Sequence, residues 1–326
     1  MKKNIGIIGT GSWGLALSLA INRSESSVKI WFNSEEKYNL VKKDRVSNYL
    51  PGIKIPKKIK LTLMLDEVTD CDYVFLVTPS QFVRENLNLM KSKKIPKNLV
   101  ICSKGIEKKS NKLMSQVVND IFPLNKPIIL SGPNFANEVA RNLPTAFVLS
   151  SSNLRKIKIL GKIISSKNFR PYFNKDIIGT QIGGAFKNVI AIACGIVVGK
   201  GLGENAKSSL LTRGLSEIML LGKKMNANEK TFRGLSGLGD LNLSCNSLKS
   251  RNMALGYKLG KNLKIRDLVK ENLLSEGLNS CEAICKLGEF HKVNLPICNS
   301  IRNIIGGSSI NSAIKSLLSR PLQMEK

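Results

Sequence analysis

Lys187 interrupts an almost wholly apolar stretch. Between Asp176 and Lys200 the chain reads Ile177, Ile178, Ile182, Ala185, Phe186, Val189, Ile190, Ala191, Ile192, Ala193, Ile196, Val197 and Val198. Its length and lack of Pro predict a long buried helix. An ammonium there is costly unless it has a partner or a task, because desolvation disfavours its charged form. Gly183 and Gly184 lie a turn before it and Ala191 a turn after it. These small residues share its helical face and leave room beside the amine for another backbone or a ligand. Two readings stay open from this segment: a lysine that snorkels to the surface, or a proton-transfer group. The chain has one histidine, His291, in a Lys-rich, helix-like stretch. A Ser-His-Asp nucleophile or an Asp–His pair is therefore disfavoured, and a general base falls to Lys, Asp or Glu.

A second constellation opens the chain. Asn4–Ile8 reads as a buried parallel strand and runs straight into Gly9-Thr10-Gly11-Ser12-Trp13-Gly14. A compact apolar helix follows. Strand, GxGxxG and helix in that order predict a dinucleotide-phosphate turn. Gly9 permits the tight turn, Gly11 the close approach of a pyrophosphate, and Gly14 close packing of helix on strand. The second strand, 28–32, ends at Asn33. That residue supplies neither the carboxylate expected for NAD nor the Arg expected for NADP, so both cofactors stay open. A further buried strand is expected at 73–77, and more strands at 98–102, 127–130, 146–149 and 169–173. Lys104 sits at the carboxyl end of one of them, where open α/β sheets bind ligands. Gly132-Pro133 follows another and could present backbone N–H groups. Asn48–Ile53 is turn-rich and reads as a loop over the site.

After Asp176 helical periodicity dominates. The fold class is therefore an α/β Rossmann domain, doubly wound with a mostly parallel sheet, over 1–175, followed by an all-α domain over 176–326. The segments 199–205, 234–245 and 250–252 read as polar, small-residue loops. Arg251, placed before a helix at 253–259, suits a phosphate.

The bulk numbers agree. A chain of 326 residues suggests two domains. Fifty-one Lys and Arg against twenty-three Asp and Glu give a formal charge of +28. The lysines are dispersed and aromatics are 6%, so an anionic small substrate is favoured over nucleic acid. Seven cysteines without a CxxC, and without a His beside Cys281 and Cys285, read as free thiols of a reducing cytosol, not as a metal site. Signal peptide and membrane span are not expected.

Taken together, GTGSWG from Gly9, NYLPGI from Asn48, SKGIE from Ser103, SGPNFANEVARNLPTA from Ser131, GGAFKNVIAI from Gly183, GLSGLGDLNLSC from Gly234, SRN from Ser250 and SEG from Ser275 resemble the bacterial-type NAD(P)-dependent glycerol-3-phosphate dehydrogenases over nearly the whole chain. The resemblance implies reversible reduction of dihydroxyacetone phosphate to sn-glycerol 3-phosphate, which feeds phospholipid synthesis. It implies that Ser12, Trp13 and Ala136 touch NAD or NADP, and that Lys104, Gly132 and Asn134 lie where substrate meets nicotinamide. Lys187 resembles the proton acceptor. Asp240, Ser250, Arg251 and Asn252 would line the substrate pocket, with Arg251 also near the cofactor, and Leu274 and Glu276 would be distal cofactor contacts. A cytoplasmic enzyme without a metal is implied, and a homodimer is compatible with it.

On that reading Lys104 charge and desolvation would lower the Lys187 pKa, and Asp240 would hold the Lys187 amine. Two rivals remain. One is a Rossmann-plus-helical dehydrogenase of β-hydroxy acids, which would need a carboxylate pocket in place of the SRN loop. The other is a non-enzymatic dinucleotide sensor or nucleic-acid binder.

Overall fold

The computed structural model describes residues 3–263, 267, 275–321 and 324. Its first half alternates strand and helix: β1 (Asn4–Ile8), α1 (Ser12–Asn22), β2 (Ser27–Trp31), α2 (Glu35–Asp44), β3 (Lys60–Thr62), α3 (Asp66–Thr69), β4 (Tyr73–Leu76), α4 (Val83–Lys91), β5 (Leu99–Ile101), α5 (Met114–Ile121), β6 (Ile128–Ser131), α6 (Ala136–Ala140), β7 (Thr145–Ser150), α7 (Leu154–Ile164) and β8 (Phe169–Asn174). These strands form one sheet in the order β3-β2-β1-β4-β5-β6-β7-β8. Neighbours pair parallel except β6 with β7. The order reverses between β1 and β4, so a crevice opens there at the carboxyl ends of the strands.

Burial on both faces explains the unbroken apolar strands. Ile5 and Ile7 of β1 and Phe75 of β4 pack on the α1 side. Ile8, Val74 and Leu76 pack on the side of α4 and α5. β3 is absent from the strands expected of the sequence. It has three residues, of which Leu61 and Thr62 are buried, too short for a period-2 signal.

The second half is built on α8 (Ile177–Gly199). Around it lie α9 (Gly203–Lys224), α10 (Glu229–Phe232), α11 (Asp240–Cys245), α12 (Arg251–Gly260), α13 (Glu276–Phe290), α14 (Pro296–Ile305) and α15 (Ile310–Leu318). Asp176 starts α8 by accepting the Gly179 N–H at 2.8 Å. α8 and α12 approach to backbone contact through small residues. A Cβ on Gly195 would overlap the Met253 carbonyl, and one on Gly256 the Ile192 carbonyl. By length and composition α8 could cross a membrane, although no span is expected from the sequence; 89% of its apolar window is buried inside the protein. It is the core of the helical half.

The three expected loops are largely helical; in 199–205, Gly199 ends α8 and Gly203 opens α9. The 234–245 segment forms a wide turn over Leu235–Gly239 and then α11. It packs closely: a Cβ on Gly237 would overlap Phe232, and one on Gly183 of α8 would overlap the Ser236 carbonyl. Helix α12 begins at Arg251, two residues earlier than expected, because Ser250 is its N-cap and accepts the Met253 N–H. All seven cysteines are free and buried.

Candidate active site

The dinucleotide turn follows β1 directly. Gly9 has φ +125°, and a Cβ there would lie 2.6 Å from the Val77 carbonyl oxygen, so only glycine fits. A Cβ on Gly14 would overlap the Gly9 carbonyl. One on Gly11 would meet nothing within 4 Å, which leaves an open approach. α1 has Gly11 at its N-cap, with no side chain capping it and no acidic residue in its first turn. Its first N–H groups are thus available to an anion. Ser12 begins this helix, and the Trp13 Nε1, although buried, has no hydrogen-bond partner. These features fit a dinucleotide pyrophosphate. Asn33 is exposed just beyond β2, and Ala136 opens α6 on the same apolar cluster as Trp13. Arg23 from the end of α1 donates to the Val139 and Ala140 carbonyls and so caps the C-terminus of α6. The NYLPGI loop is anchored to this half: Leu50 belongs to the α1 cluster, and Arg45 donates to the carbonyls of Ile55, Pro56 and Ile59.

The centre of the site is a carboxylate shared by two lysines. Asp240, the first residue of α11, is 1% exposed at its side chain. Its Oδ1 accepts from the Lys187 Nζ and its Oδ2 from the Lys104 Nζ, both at 2.6 Å. Lys187 also donates to the Ser244 Oγ at 3.0 Å. Lys104 also donates to the Gly132 carbonyl at 2.7 Å. Gly132, at φ +131°, turns that carbonyl away from the end of β6. Lys187 does not snorkel out to water: its side chain is 12% exposed.

Burial brings the Lys104 pKa down to about 8; the Lys187 ammonium pushes it the same way and Asp240 opposes both. Desolvation and a neighbouring positive charge thus both act on Lys104. Two ammoniums on one carboxylate leave the site net positive, as an anionic substrate requires.

The remaining expected residues divide. Asn134 spends its Nδ2 on the carbonyls of Pro133 and Ala146, at 2.8 and 3.1 Å, and leaves a buried Oδ1 without a partner. Ser250 is committed to its cap. Asn252 donates to the Asn188 Oδ1 at 2.9 Å and accepts the Gly277 N–H at 3.0 Å. Asn188 in turn donates to the Lys104 carbonyl at 3.2 Å. Arg251 is exposed in the first turn of α12. Glu276 is engaged by Ser80, whose N–H and Oγ donate to its two oxygens at 2.9 and 2.6 Å. Burial pushes the Glu276 carboxyl up, against the Ser80 bonds and the Arg251 charge. Leu274 lies outside the described residues. Sequence reasoning passed over Ser244, which stands four residues after Asp240 on the same face of α11. It also gave no role to Asn188 beside Lys187. Among the described residues no group of three His, Cys, Asp or Glu could hold a metal.

Comparison with known proteins meets this geometry over both halves. Residues 4–157 match the family model described as NAD-dependent glycerol-3-phosphate dehydrogenase N-terminus, and residues 176–315 match its C-terminus counterpart. The chain is similar to proteins named glycerol-3-phosphate dehydrogenase (NAD(P)+). With that of Parvibaculum lavamentivorans it shares 39% identity over 99% of this chain and 98% of the relative. With that of Zymomonas mobilis it shares 39% over 99% and 94%. The crystal structure of glycerol-3-phosphate dehydrogenase from Coxiella burnetii superposes with a TM-score of 0.93 at 32% identity, covering 98% of this chain and 99% of that one.

Proposed function

The chain belongs to the NAD-dependent glycerol-3-phosphate dehydrogenase family, and from that premise we propose how its own residues carry the reaction. It is an NAD(P)-dependent oxidoreductase interconverting dihydroxyacetone phosphate and sn-glycerol 3-phosphate, the precursor of phospholipids. The observation that carries the reading of the site is Asp240 shared between Lys187 and Lys104 at 2.6 Å each, beside a glycine turn that fits a pyrophosphate.

The bound nicotinamide supplies hydride in the reduction and accepts it in reverse. Lys187 holds a proton at Nζ and delivers it to the carbonyl oxygen as negative charge grows there; in reverse it takes the hydroxyl proton. Asp240 and Ser244 fix the direction of that amine. Lys104 places a second positive charge against the substrate oxygen and phosphate. Arg251, in the first turn of α12, holds the phosphate, and that remote contact orients the reacting carbon. Gly9, Gly11, Ser12, Trp13, Gly14, Asn33 and Ala136 hold the dinucleotide. Gly132, Asn134, Ser250 and Asn252 shape the substrate pocket. Glu276 lies at the distal end of the cofactor site, and Leu274 is assigned there by resemblance alone. We divide the chain functionally at Asp176, into a cofactor half and a substrate half. A cytoplasmic homodimer is the expected form.

A coupled absorbance assay with dihydroxyacetone phosphate and each cofactor tests the reading. Asn33 offers no charge to a 2′-phosphate and no carboxylate to a ribose diol. Both cofactors should therefore turn over, with kcat/KM within roughly a hundredfold of each other. No oxidation of either cofactor would sink the reading. A ratio beyond about a thousandfold would show that another residue reads the ribose.

A further inference from the structure

The turn after β4 makes contacts that the reaction as described leaves unassigned. Ser80 is fully buried, and both its N–H and its hydroxyl donate to Glu276, a residue 196 positions away. Its neighbour Gln81 donates from Nε2 to the Ser80 hydroxyl at 3.1 Å and to the Ile106 carbonyl at 2.8 Å. The Gln81 Oε1 accepts the Lys108 N–H at 2.9 Å. Ile106 and Lys108 belong to the turn that begins with Lys104. A Cβ on Gly105 would overlap the Ser80 hydroxyl and lie 2.7 Å from the Glu276 Oε2. Hydroxyl and carboxylate therefore lie flat against the backbone next to Lys104. From the helical half, Ser280 accepts the Ile106 N–H at 3.4 Å.

We propose that Ser80 and Gln81 are positioning residues for the reaction: they fix the turn over residues 104–108, and through Glu276 they tie the placement of the Lys104 ammonium to the seating of α13. The physical reason is leverage. Lys104 reaches its partners on four rotatable bonds, and its Nζ must meet both the Gly132 carbonyl and Asp240. A backbone shift of about 1 Å at the root of that side chain is enough to lose one of them. A strand-end turn left to itself is mobile. Here its polar groups are held from both sides: Arg84 of the same half donates to both Glu107 oxygens at 2.8 Å, and Glu276 comes from the other half of the molecule. When α13 is seated, the turn is held; when it is not, Lys104 loses its register. The inference rests on the oxidoreductase reading for its consequence in rate, but not for its consequence in backbone order.

The test uses the full chain with Gln81→Met, which is nearly isosteric and removes three bonds, and Ser80→Ala, which removes the hydroxyl. Amide hydrogen exchange followed by mass spectrometry reads the 103–109 segment with no substrate present. Steady-state kinetics with dihydroxyacetone phosphate and NADH read the rate. The expected result is exchange in that segment faster by about tenfold or more, with kcat lowered by roughly ten- to a hundredfold and KM for NADH within about threefold. Unchanged exchange overturns the proposal. So does faster exchange with unchanged kcat, and so does a raised KM for NADH at unchanged kcat, which would make these residues cofactor contacts. If Ser80→Ala does not fold, Gln81→Met, whose side chain is part-exposed, decides by the same two readouts. If the wild-type chain does not turn over the substrate, the functional reading falls by itself, and the exchange measurement still overturns or supports the placement of the turn.

Discussion

Asp240 and Glu217 are both buried carboxylates of the helical half, and their surroundings differ in kind. Asp240 lies between the ammoniums of Lys187 and Lys104. Glu217, in α9, is 4% exposed and faces backbone. Its Oε1 accepts the Ile297 N–H at 2.6 Å and its Oε2 the Cys298 N–H at 3.2 Å. Those are first-turn donors of α14, which the helix cannot satisfy internally. Burial pushes the Glu217 carboxyl up to about 7, against the pull of those two N–H groups. A buried acid alone therefore does not mark the active site. Its partners do: an ammonium can release a proton or change its contact, whereas a helical N–H can do neither. Asp240 organises chemistry, and Glu217 is a cap supplied from a neighbouring helix.

The largest effect expected from breaking this contrast is at Lys187. Lys187→Met should fold, because Met suits an apolar helix position. It should lower kcat by roughly 10² to 10⁴, the usual worth of a positioned acid–base group. A folded variant that binds NADH and keeps most of its activity would move the proton-transfer role to Lys104. Asp240→Asn comes next. It leaves two buried ammoniums without their counter-ion, so stability should fall by about 3 to 5 kcal/mol and kcat by roughly 10². Thermal melting and kinetics on the same sample check both. A variant that melts early but keeps wild-type kcat would reduce Asp240 to a structural role like that of Glu217.

How far the sequence carries this contrast depends on the range of each signal. The turn at Gly9–Gly14 is legible because strand, glycines and helix are consecutive. Lys187 is legible because one charge interrupts an apolar helix. Asp240 comes through resemblance, since nothing local singles out an Asp in a glycine-rich segment, whereas Arg251 is legible as an arginine set before a helix. That glycine-rich segment reads as a loop in sequence and folds as a helix, because the close contact of Gly237 with Phe232 is revealed by tertiary structure alone. The Ser80–Glu276 and Gln181–Ser115 pairs join residues far apart in the chain and leave no periodic trace. Glu217 gave no signal at all: an acid on an amphipathic helix reads as solvated until α14 is laid against it.

The contrast is sharpened by pH at Lys104. Its ammonium, with a pKa lowered to about 8, is present below that pH and lost above it. The positive charge facing the substrate is lost with it. kcat/KM for dihydroxyacetone phosphate should therefore fall above about pH 8, approaching tenfold per pH unit. Asp240 holds that pKa up, so in Asp240→Asn the limb should move to lower pH. In Glu217→Gln it should not move. A profile flat from pH 7 to 10, or a limb indifferent to Asp240→Asn, would remove Lys104 from the rate.

The smallest effect on activity is expected at Glu217 itself, where the effect falls on stability. The folded pKa, about 7, lies above the unfolded value of roughly 4.3. The folded state thus binds the proton more tightly. The stability this contributes is fully present below about pH 4, and is lost as pH rises through 7. A gap of two to three pH units corresponds to about 3 kcal/mol across that window. Glu217→Gln cannot ionise and should lack this slope. Its amide oxygen can accept one of the two N–H groups and its NH₂ cannot accept the other, so at pH 5 the variant should melt below the wild type. By pH 8 the wild type has taken on a buried charge that Gln avoids, and the gap should narrow or reverse. Throughout, kcat should stay within about twofold, because no reacting atom touches this side chain. Melting curves at pH 5 and pH 8, paired with kcat at pH 7, decide the matter. A melting difference independent of pH would mean that Glu217 stays ionised throughout, and a large loss of kcat would erase the distinction between the two carboxylates.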